Sequence, residues 1–318
     1  MEVVLAKPRG FCAGVVRAID VVEEALEVFG APVYVLHEIV HNQHVVDDLR
    51  SRGAIFTEDL NDVPEGAVTV FSAHGVSDRR VAEAKARGLR IIDATCPLVA
   101  KVHMQAQKYR RRDYELIIVG HRGHPEVEGT KGRVSGPVHV VSELEEVDAL
   151  EVADPDKVAY VTQTTLSVDD TKSVIEALKK RFPNIVGPEI RDICYATQNR
   201  QNAVRDLARN ADVIIVVGAR NSSNSNRLRE VGEHAGVRAY LVQDADEVES
   251  GWIHPDDRVG VTAGASTPEA LVQGVLAKLK QLGHEKVREL DGPDENVTFR
   301  PPPELRLKAK ESTEVQGG

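Results

Sequence analysis

The chain has 318 residues and a formal net charge of −10, with 42% apolar and 28% charged residues. This length predicts two or three compact units, and the acidic balance argues against broad nucleic-acid binding. No apolar run approaches the roughly 20 residues that span a bilayer, and the chain enters a strand at Val3 without a basic leader region. We therefore expect a cytoplasmic protein with reduced thiols and no membrane partner, in which a local pocket could still bind an anionic small molecule.

Each of the three cysteines in the sequence lies between a predicted strand and a predicted helix. The strands are residues 3–6, 89–92 and 190–193, the cysteines are Cys12, Cys96 and Cys194, and the helices are residues 15–28, a segment that begins near 97, and residues 198–208. Proline in the first turn, as at Pro97, is a common signal for the start of a helix. The repeated junction predicts that the three thiols occupy equivalent positions.

Between the cysteines, short apolar strands end in polar loops and alternate with longer helices. The strands are residues 33–36, 67–71, 116–119, 158–161, 213–217 and 258–261, and the helices are residues 78–87, 168–181 and 268–282. This alternation is typical of parallel sheets that are covered by helices on both faces. We therefore predict an α/β fold of three similar domains with mostly parallel sheets.

The repeat also predicts where these domains begin and end. The boundaries are 1–96, 97–193 and 194–290, followed by a tail at 291–318. Residues 286–292 resemble the cysteine-bearing strands but contain no cysteine, so that Cys12 on the first strand supplies the third thiol. The tail is polar and rich in proline and glycine near its ends, and we expect its last dozen residues to be disordered.

Polar side chains follow the predicted strands at the edge where ligands of parallel sheets bind. The candidates are His41, His74, His124 and Glu126 in the first two units and Ser222, Ser223, Asn224 and Ser266 in the third. Imidazole, hydroxyl and amide groups together can bind a phosphate or diphosphate. Residues 221–226 could alternatively be a solvated loop that caps a helix, although a helix N-terminus itself attracts anions.

Three thiols that converge on one point could hold an iron–sulfur cluster or a zinc ion. Because the chain has no fourth cysteine, one iron of a four-iron cluster would lack a thiolate and could bind a substrate. The alternative is that the three cysteines are unrelated and serve as small buried apolar residues.

Several of these segments resemble the motifs of the 4-hydroxy-3-methylbut-2-enyl diphosphate reductase family. They are PRGFCAGV at 8–15, HEIVHN at 37–42, FSAHGV at 71–76 and DATCP at 93–97, with further matches at 120–126, 162–167, 192–194 and 222–225. The resemblance extends from residue 2 to about residue 290. So many separate motifs in one order make it highly specific.

The resemblance implies a trefoil of three α/β domains around one central [4Fe–4S] cluster. The matching positions for the cluster are Cys12, Cys96 and Cys194, and those for the substrate are His41, His74, His124, Thr164, Ser222, Ser223, Asn224 and Ser266. The position of the proton donor matches Glu126, helped by Thr164. The fourth iron is then expected to bind the hydroxyl group of the substrate.

The reaction implied is a reductive dehydroxylation of a small allylic diphosphate to isopentenyl and dimethylallyl diphosphate. It needs an external electron donor such as ferredoxin or flavodoxin. Two alternatives stay open on the residues alone. One is a quinolinate-synthase-like dehydratase whose open iron acts only as a Lewis acid, and the other is a zinc-dependent binding or structural protein.

Overall fold

A computed structural model describes residues 2–188 and 192–305, and this part of the chain contains twelve β-strands and nine α-helices. The strands are Glu2–Leu5 (β1), Val33–Leu36 (β2), Ala54–Thr57 (β3), Val68–Phe71 (β4), Arg90–Asp93 (β5), Glu115–Val119 (β6), Val138–Val141 (β7), Val158–Thr162 (β8), Val213–Val217 (β9), Arg238–Val242 (β10), Val259–Ala263 (β11) and Lys286–Glu289 (β12). The helices are Ala13–Phe29 (α1), Gln43–Ser51 (α2), Asp78–Ala86 (α3), Pro97–Arg110 (α4), Pro125–Lys131 (α5), Val168–Arg181 (α6), Tyr195–Ala208 (α7), Ser223–His234 (α8) and Glu269–Gln281 (α9).

The strands form three separate sheets, ordered β3-β2-β4-β5, β7-β6-β8 and β10-β9-β11-β1-β12. Every pairing between these strands is parallel. The predicted α/β class with parallel sheets is therefore confirmed. Parallel strands need long crossover connections, and the helices between the strands provide them.

Strands β6, β8, β9 and β11 are buried along their whole length, which explains why they are largely apolar runs. In β9, Val213, Ile215 and Val217 pack into one apolar cluster. Ile214 and Val216, which point to the opposite face, pack into another. Successive side chains of a strand alternate between faces, so a run without polar residues requires a covering layer on each side.

The first strand lies in an unexpected sheet. β1 pairs with β11 on one side and β12 on the other, so it belongs to the sheet of the third unit, although the range 1–96 assigns it to the first. Its place beside β11 corresponds to that of β5 beside β4, because β5 leads to Cys96 as β1 leads to Cys12. In the third unit, β1 is thus the strand that leads to a cysteine, and β12 is an additional edge strand. The domain boundaries themselves stay a prediction.

The other predicted elements agree with the structure to within a few residues, except for the predicted strand 190–193. Helix α7, for example, begins at Tyr195, directly after Cys194, rather than at residue 198. In the predicted strand 190–193, residues 190 and 191 lie outside the described residues, and Asp192 and Ile193 form a turn and a bend. The predicted disorder of the last dozen residues also falls outside the described part. Within the described ranges, no helix is both long enough and apolar enough to cross a membrane.

Candidate functional site

The three cysteines occupy the same local geometry. Each is the residue that immediately precedes the first turn of a helix, with α1 after Cys12, α4 after Cys96 and α7 after Cys194. Each also donates its backbone N–H to a carbonyl in a loop at the end of a strand: Cys12 to Ala265 at 3.1 Å, Cys96 to Ala73 at 3.0 Å and Cys194 to Thr164 at 3.1 Å. The positive ends of three helix dipoles therefore point at the thiols, which favours negative charge there.

One cavity brings all of the predicted site residues together. Its walls include Cys12, His41, His74, Cys96, His124, Glu126, Thr164, Cys194, Ser222, Ser223, Asn224 and Ser266. About 100 Å³ of its interior is open to the centres of water molecules. The sheets contribute to it through the polar loops at the carboxyl ends of their strands, as expected for parallel sheets.

The space beside the thiols is kept free by glycine. A Cβ atom at Gly14 would lie 2.7 Å from Sγ of Cys96 and 3.8 Å from Sγ of Cys12. Any larger residue at this position would therefore force the thiol of Cys96 to move. Among residues 2–188 and 192–305, no three His, Cys, Asp or Glu side chains are close enough to hold a single metal ion. Three cysteine thiols around one open space provide the thiolate ligands that iron–sulfur clusters use. The donor set thus fits an iron–sulfur cluster.

Burial also affects the charge of these thiols. It raises the pKa of Cys96 to about 12 and that of Cys194 to about 11. Without a metal, both thiols are therefore protonated at neutral pH, and metal binding would displace their protons.

Three histidine rings from different loops pack against one another in the cavity wall. The rings of His41 and His74 stack with their centroids 4.1 Å apart, and the ring of His124 meets them edge-on at 5.7 and 6.0 Å. Burial lowers the pKa of His124 to about 3 and holds that of His74 well below its ordinary value. These two rings are accordingly neutral in the substrate-free protein.

His41 differs from the other two histidines because it has a carboxylate partner. Its Nδ1 lies 3.1 Å from Oε2 of Glu38, and this hydrogen bond holds the pKa of Glu38 below its ordinary value. Nε2 of His41 is buried and has no hydrogen-bond partner in the described part of the chain. Since a carboxylate only accepts hydrogen bonds, Nδ1 carries a proton and Nε2 is left to bind a ligand.

Glu126 is a buried carboxyl group, 6% exposed, at the start of α5. It accepts hydrogen bonds from the backbone N–H of Thr164 at 2.9 Å and from Oγ1 of the same residue at 2.9 and 3.0 Å. Burial nevertheless raises the pKa of Glu126, against the lowering effects of the Thr164 hydrogen bonds and of His41, and the charge of Glu126 contributes to the raised pKa of Cys194. A carboxyl group in such surroundings retains its proton more readily than a free glutamic acid.

The backbone N–H of Glu126 also fixes the tautomer of its neighbour. It donates to Nδ1 of His124 at 3.1 Å, which makes His124 the cap of α5. In the neutral ring the proton must then be on Nε2. His124 therefore offers a hydrogen-bond donor even without a positive charge.

The third sheet contributes the N-terminus of α8. Ser222 caps this helix by accepting from the N–H of Ser225 at 3.3 Å, and Ser223 accepts from Nε2 of Gln163 at 3.2 Å. Asn224, only 4% exposed, has neither Nδ2 nor Oδ1 bonded to any described residue. Ser266 donates to the carbonyl of His41 at 3.0 Å. Both interpretations of the loop are thus compatible, because it caps a helix while it directs an unsatisfied amide into the cavity.

A family model described as LytB protein matches residues 3–280 of the chain. This match covers well over half of the sequence and all twelve predicted site residues. The chain belongs to the LytB protein family.

Relatives of this LytB family member carry the name that the motifs had suggested. The chain is 60% identical over 305 residues to 4-hydroxy-3-methylbut-2-enyl diphosphate reductase 2 of Bradyrhizobium diazoefficiens, an alignment covering 96% of this chain and 99% of that protein. It is 56% identical over 311 residues to the reductase of Zymomonas mobilis, covering 98% and 92% respectively. The resemblance to this family is therefore confirmed.

A solved structure shows that the similarity extends to the fold. The E-1-hydroxy-2-methyl-but-2-enyl-4-diphosphate reductase of Plasmodium falciparum superposes with a TM-score of 0.93 at 39% identity, covering 98% of this chain and 99% of that one. A second solved structure, of an (E)-4-hydroxy-3-methyl-but-2-enyl diphosphate reductase, has a TM-score of 0.62 at 32% identity, covering 88% and 99%. The predicted arrangement of α/β units is thus that of the LytB family.

Some residues at the cavity of this LytB family member were not predicted from the sequence. Glu38 accepts a hydrogen bond from Nδ2 of Asn221 at 2.9 Å, in addition to its contact with His41. The HEIVHN motif contained a signal for it, because Glu38 lies three residues before His41. Tyr195, which follows Cys194 directly, and Phe299 also line the cavity. Phe299 comes from the segment after β12, which has no periodic pattern that could have indicated it.

We expect the free energy of unfolding to fall as the pH is lowered below about 6.5, which is the pKa of histidine in an unfolded chain. The folded His74 and His124 resist protonation, whereas the unfolded chain binds these protons, so acid favours unfolding. The slope is about 1.4 kcal/mol per pH unit for each such histidine. Urea unfolding between pH 7.5 and 5.5 would measure it.

Because carboxyl groups contribute their own pH dependence, this test requires a comparison of variants. The His124→Asn variant keeps a side chain that can cap α5 but cannot titrate, and its slope should be smaller by about one proton. The exposed His44, which is outside the cavity, provides the control His44→Asn. Equal slopes for the parent and for His124→Asn would contradict the conclusion that the folded protein lowers the pKa of His124.

Proposed function

We propose that this chain reduces 4-hydroxy-3-methylbut-2-enyl diphosphate to isopentenyl and dimethylallyl diphosphate, the last step of the non-mevalonate isoprenoid pathway. The observation that supports this most directly is one cavity in which three thiols, a buried carboxyl group and unsatisfied anion-binding groups meet. A redox metal centre, a proton donor and a diphosphate site are what this reaction requires.

In the proposal, Cys12, Cys96 and Cys194 hold one [4Fe–4S] cluster. The separated thiols at three helix N-termini and the space beside Gly14 support this assignment. When bound, the cluster supplies electrons one at a time and an iron without a thiolate that can polarise the C–O bond of the substrate. The electrons come from an external one-electron donor such as ferredoxin or flavodoxin, and we place the reaction in the cytoplasm.

The diphosphate is bound by the groups that the protein leaves unsatisfied. Nε2 of His41 and the amide of Asn224 are buried and have no other described partners. Because Nδ1–H of His41 faces Glu38, Nε2 donates to the diphosphate when the ring binds as an imidazolium between the two anions. His124 adds an Nε2–H, and His74, Ser222, Ser223 and Ser266 complete the wall. Because the N-terminus of α8 is at the same place, its dipole also favours the anion.

Protons are delivered by Glu126. The overall reaction breaks the allylic C–O bond, forms one C–H bond and consumes two electrons and two protons, releasing water. Its raised pKa allows Glu126 to hold a proton for the departing hydroxyl group. Thr164 fixes the carboxyl group through three contacts. When Glu126 is protonated, the Thr164 hydroxyl can accept that proton's hydrogen bond and donate its own proton to the substrate hydroxyl. The second proton is added to carbon, and its position determines which of the two products forms.

The proposal is tested by anaerobic purification, followed by iron and sulfide analysis and by turnover with a reduced dye. We expect about four irons and four sulfides per chain, and consumption of the allylic diphosphate only when the reductant is present. Turnover without a reductant would favour the quinolinate-synthase-like alternative. Stoichiometric zinc with no iron would favour the zinc alternative.

The anion site makes a separate prediction. The His41→Ala, His74→Ala and Asn224→Ala variants should each bind a non-reactive diphosphate analogue roughly 10- to 100-fold more weakly, since a charge-assisted hydrogen bond contributes on the order of 1.5 to 3 kcal/mol. Calorimetric titration measures the affinity. The His44→Ala variant, whose side chain is 48% exposed, serves as the control and should bind normally. Parent-like affinity in all three variants would show that the anion binds elsewhere.

A further inference from the structure

Two arginines near the cysteines are buried to an extent that is unusual for this residue type. Arg200, on α7, is 1% exposed, and Arg17, on α1, is 9% exposed. A buried guanidinium group is costly unless hydrogen-bond acceptors satisfy its five N–H donors. Their acceptors therefore show what these two residues hold together.

Arg200 joins the loop of Cys12 to the helix of Cys194. Its guanidinium donates to the carbonyl of Gly10 at 2.8 and 3.0 Å and to that of Phe11 at 3.3 Å. It also donates to the carbonyl of Ala196, in the first turn of α7, at 3.0 Å.

Arg17 makes the corresponding connection to Cys96. From α1, the helix that Cys12 precedes, it donates to the carbonyls of Ala94 and Thr95 at 3.1 Å and to that of Asp93 at 3.4 Å. These three residues immediately precede Cys96. The two arginines together link all three cysteine-bearing segments, with that of Cys12 in the middle.

Each arginine also binds the segment after β12, residues 291–305, which we name the strap. Nε of Arg17 donates to the carbonyl of Arg300 at 2.8 Å. Arg200 contacts both carboxylate oxygens of Glu295 at 3.1 Å, and the side chain of Glu295 is only 13% exposed.

Apolar contacts fix the strap at two further points. Leu305, 2% exposed, packs into the core that α1 forms with the first sheet. Between the two arginine contacts, which are at Glu295 and Arg300, Phe299 reaches the wall of the cavity in which the thiols lie. The strap thus crosses from the third sheet to the first, over the cysteine end of the cavity.

We propose that the strap closes the cysteine end of the cavity and that Arg17 and Arg200 are positioning residues, which couple this closure to the placement of the three thiols. The inference rests on the proposed function only for the identity of the group that the thiols hold. The role of the strap is to exclude solvent and oxidants from the group that the thiols hold. This exclusion can be measured without following turnover.

The test compares variants of the strap in the full-length protein, purified anaerobically. Glu295→Gln removes the charge that Arg200 binds, and Phe299→Ala removes the side chain at the cavity wall. Asp294→Asn is the matched control, because Asp294 lies on the same strap but its side chain is 72% exposed. It forms an ion pair with Lys7 at 2.8 Å. Two rates are measured in each sample: loss of bound iron to a chelator, and alkylation of Cys12, Cys96 and Cys194 by iodoacetamide, read by peptide mass spectrometry.

We expect both rates to rise roughly 10- to 100-fold in Glu295→Gln and in Phe299→Ala, as local opening becomes easier, and to remain unchanged in Asp294→Asn. Thermal unfolding of each variant separates opening of the strap from global instability, and the rates are compared well below the midpoint. Arg200→Lys keeps the charge but loses the planar set of donors, and should behave as Glu295→Gln does.

Parent-like rates in both Glu295→Gln and Phe299→Ala would overturn the proposal. Equal acceleration in Asp294→Asn would also overturn it, because the effect would not depend on the buried anchor. If the protein contains no iron, the proposed function fails, whereas the alkylation rates still decide whether the strap covers the thiols.

Discussion

The Cys96→Ser, Cys12→Ser and Cys194→Ser variants are each expected to lose most of their bound iron and sulfide and nearly all reductase activity. A serine hydroxyl is a harder and less acidic ligand than a thiol and binds cluster iron less well. The fold should be retained, because each cysteine is the residue before a helix and serine is favoured at that position. Loss of the metal should thus be separable from loss of structure.

Iron and sulfide analysis, visible absorption and thermal unfolding of the same preparations measure this separation. The three variants provide controls for one another, since each cysteine precedes a helix and donates its backbone N–H to a loop carbonyl, although only the side chain of Cys194 caps its helix. A single variant that keeps full iron, sulfide and turnover would remove that cysteine from the proposed ligand set. Gly14→Ala is a further test, because its Cβ would crowd Sγ of Cys96 without removing any thiol.

The Glu126→Gln variant should lower turnover by about 10²- to 10⁴-fold, the usual contribution of a general acid. The amide can still accept from the N–H of Thr164 but cannot supply an acidic proton. Iron content and affinity for the diphosphate should change little, because neither depends on this proton. Single-turnover measurements on the reduced enzyme would then show bound substrate that reacts slowly.

Stability provides an independent readout for the same substitution. The folded protein holds a proton on Glu126 at pH values where the unfolded chain has lost it, since burial raises the pKa. The free energy of unfolding therefore decreases as the pH rises above about 4.3, which is the pKa of glutamic acid in an unfolded chain, towards the raised pKa of the folded protein. Glu126→Gln removes this effect and should be at least as stable as the parent at neutral pH.

Glu128→Gln is the matched control, because Glu128 is on the same helix but exposed. Its turnover should equal that of the parent. A Glu126→Gln variant within a few-fold of the parent would transfer the proton-donor role to Thr164 or to a water molecule. In that case Thr164→Val, which lacks the hydroxyl group, should be the slower variant.

The site could be predicted largely because its residues are tied to local sequence patterns. Cys12 and Cys96 follow apolar strands, all three cysteines precede helices, and the polar residues stand where strands end, so their convergence follows from the geometry of parallel sheets. Glu38 escaped prediction because its importance depends on two contacts, one of them with Asn221, which is distant in the sequence. Motifs identify residues, but they do not identify such partners.

Two features of the fold have no local signal at all. The pairing of β1 with β11 and β12 joins segments more than 250 residues apart, and apolar strands of similar composition do not specify their neighbours. The strap, residues 291–305, contains almost no regular secondary structure, so hydrophobic periodicity could not reveal it. Its path is determined by Arg17 and Arg200, which the sequence presents as ordinary charged residues on helices.

The position of β1 sets the order of events while the protein is being made. This strand leaves the ribosome more than 250 residues before its partners β11 and β12. At about 5 to 20 residues per second, β1 waits roughly 10 to 50 s for its neighbours, an interval in which an unpaired apolar strand is exposed to aggregation and to chaperones. Cys12 lies in the loop after this strand, so the three thiols come together only once β11 and β12 have been synthesised. Any group that requires all three thiols can therefore be inserted only after that point.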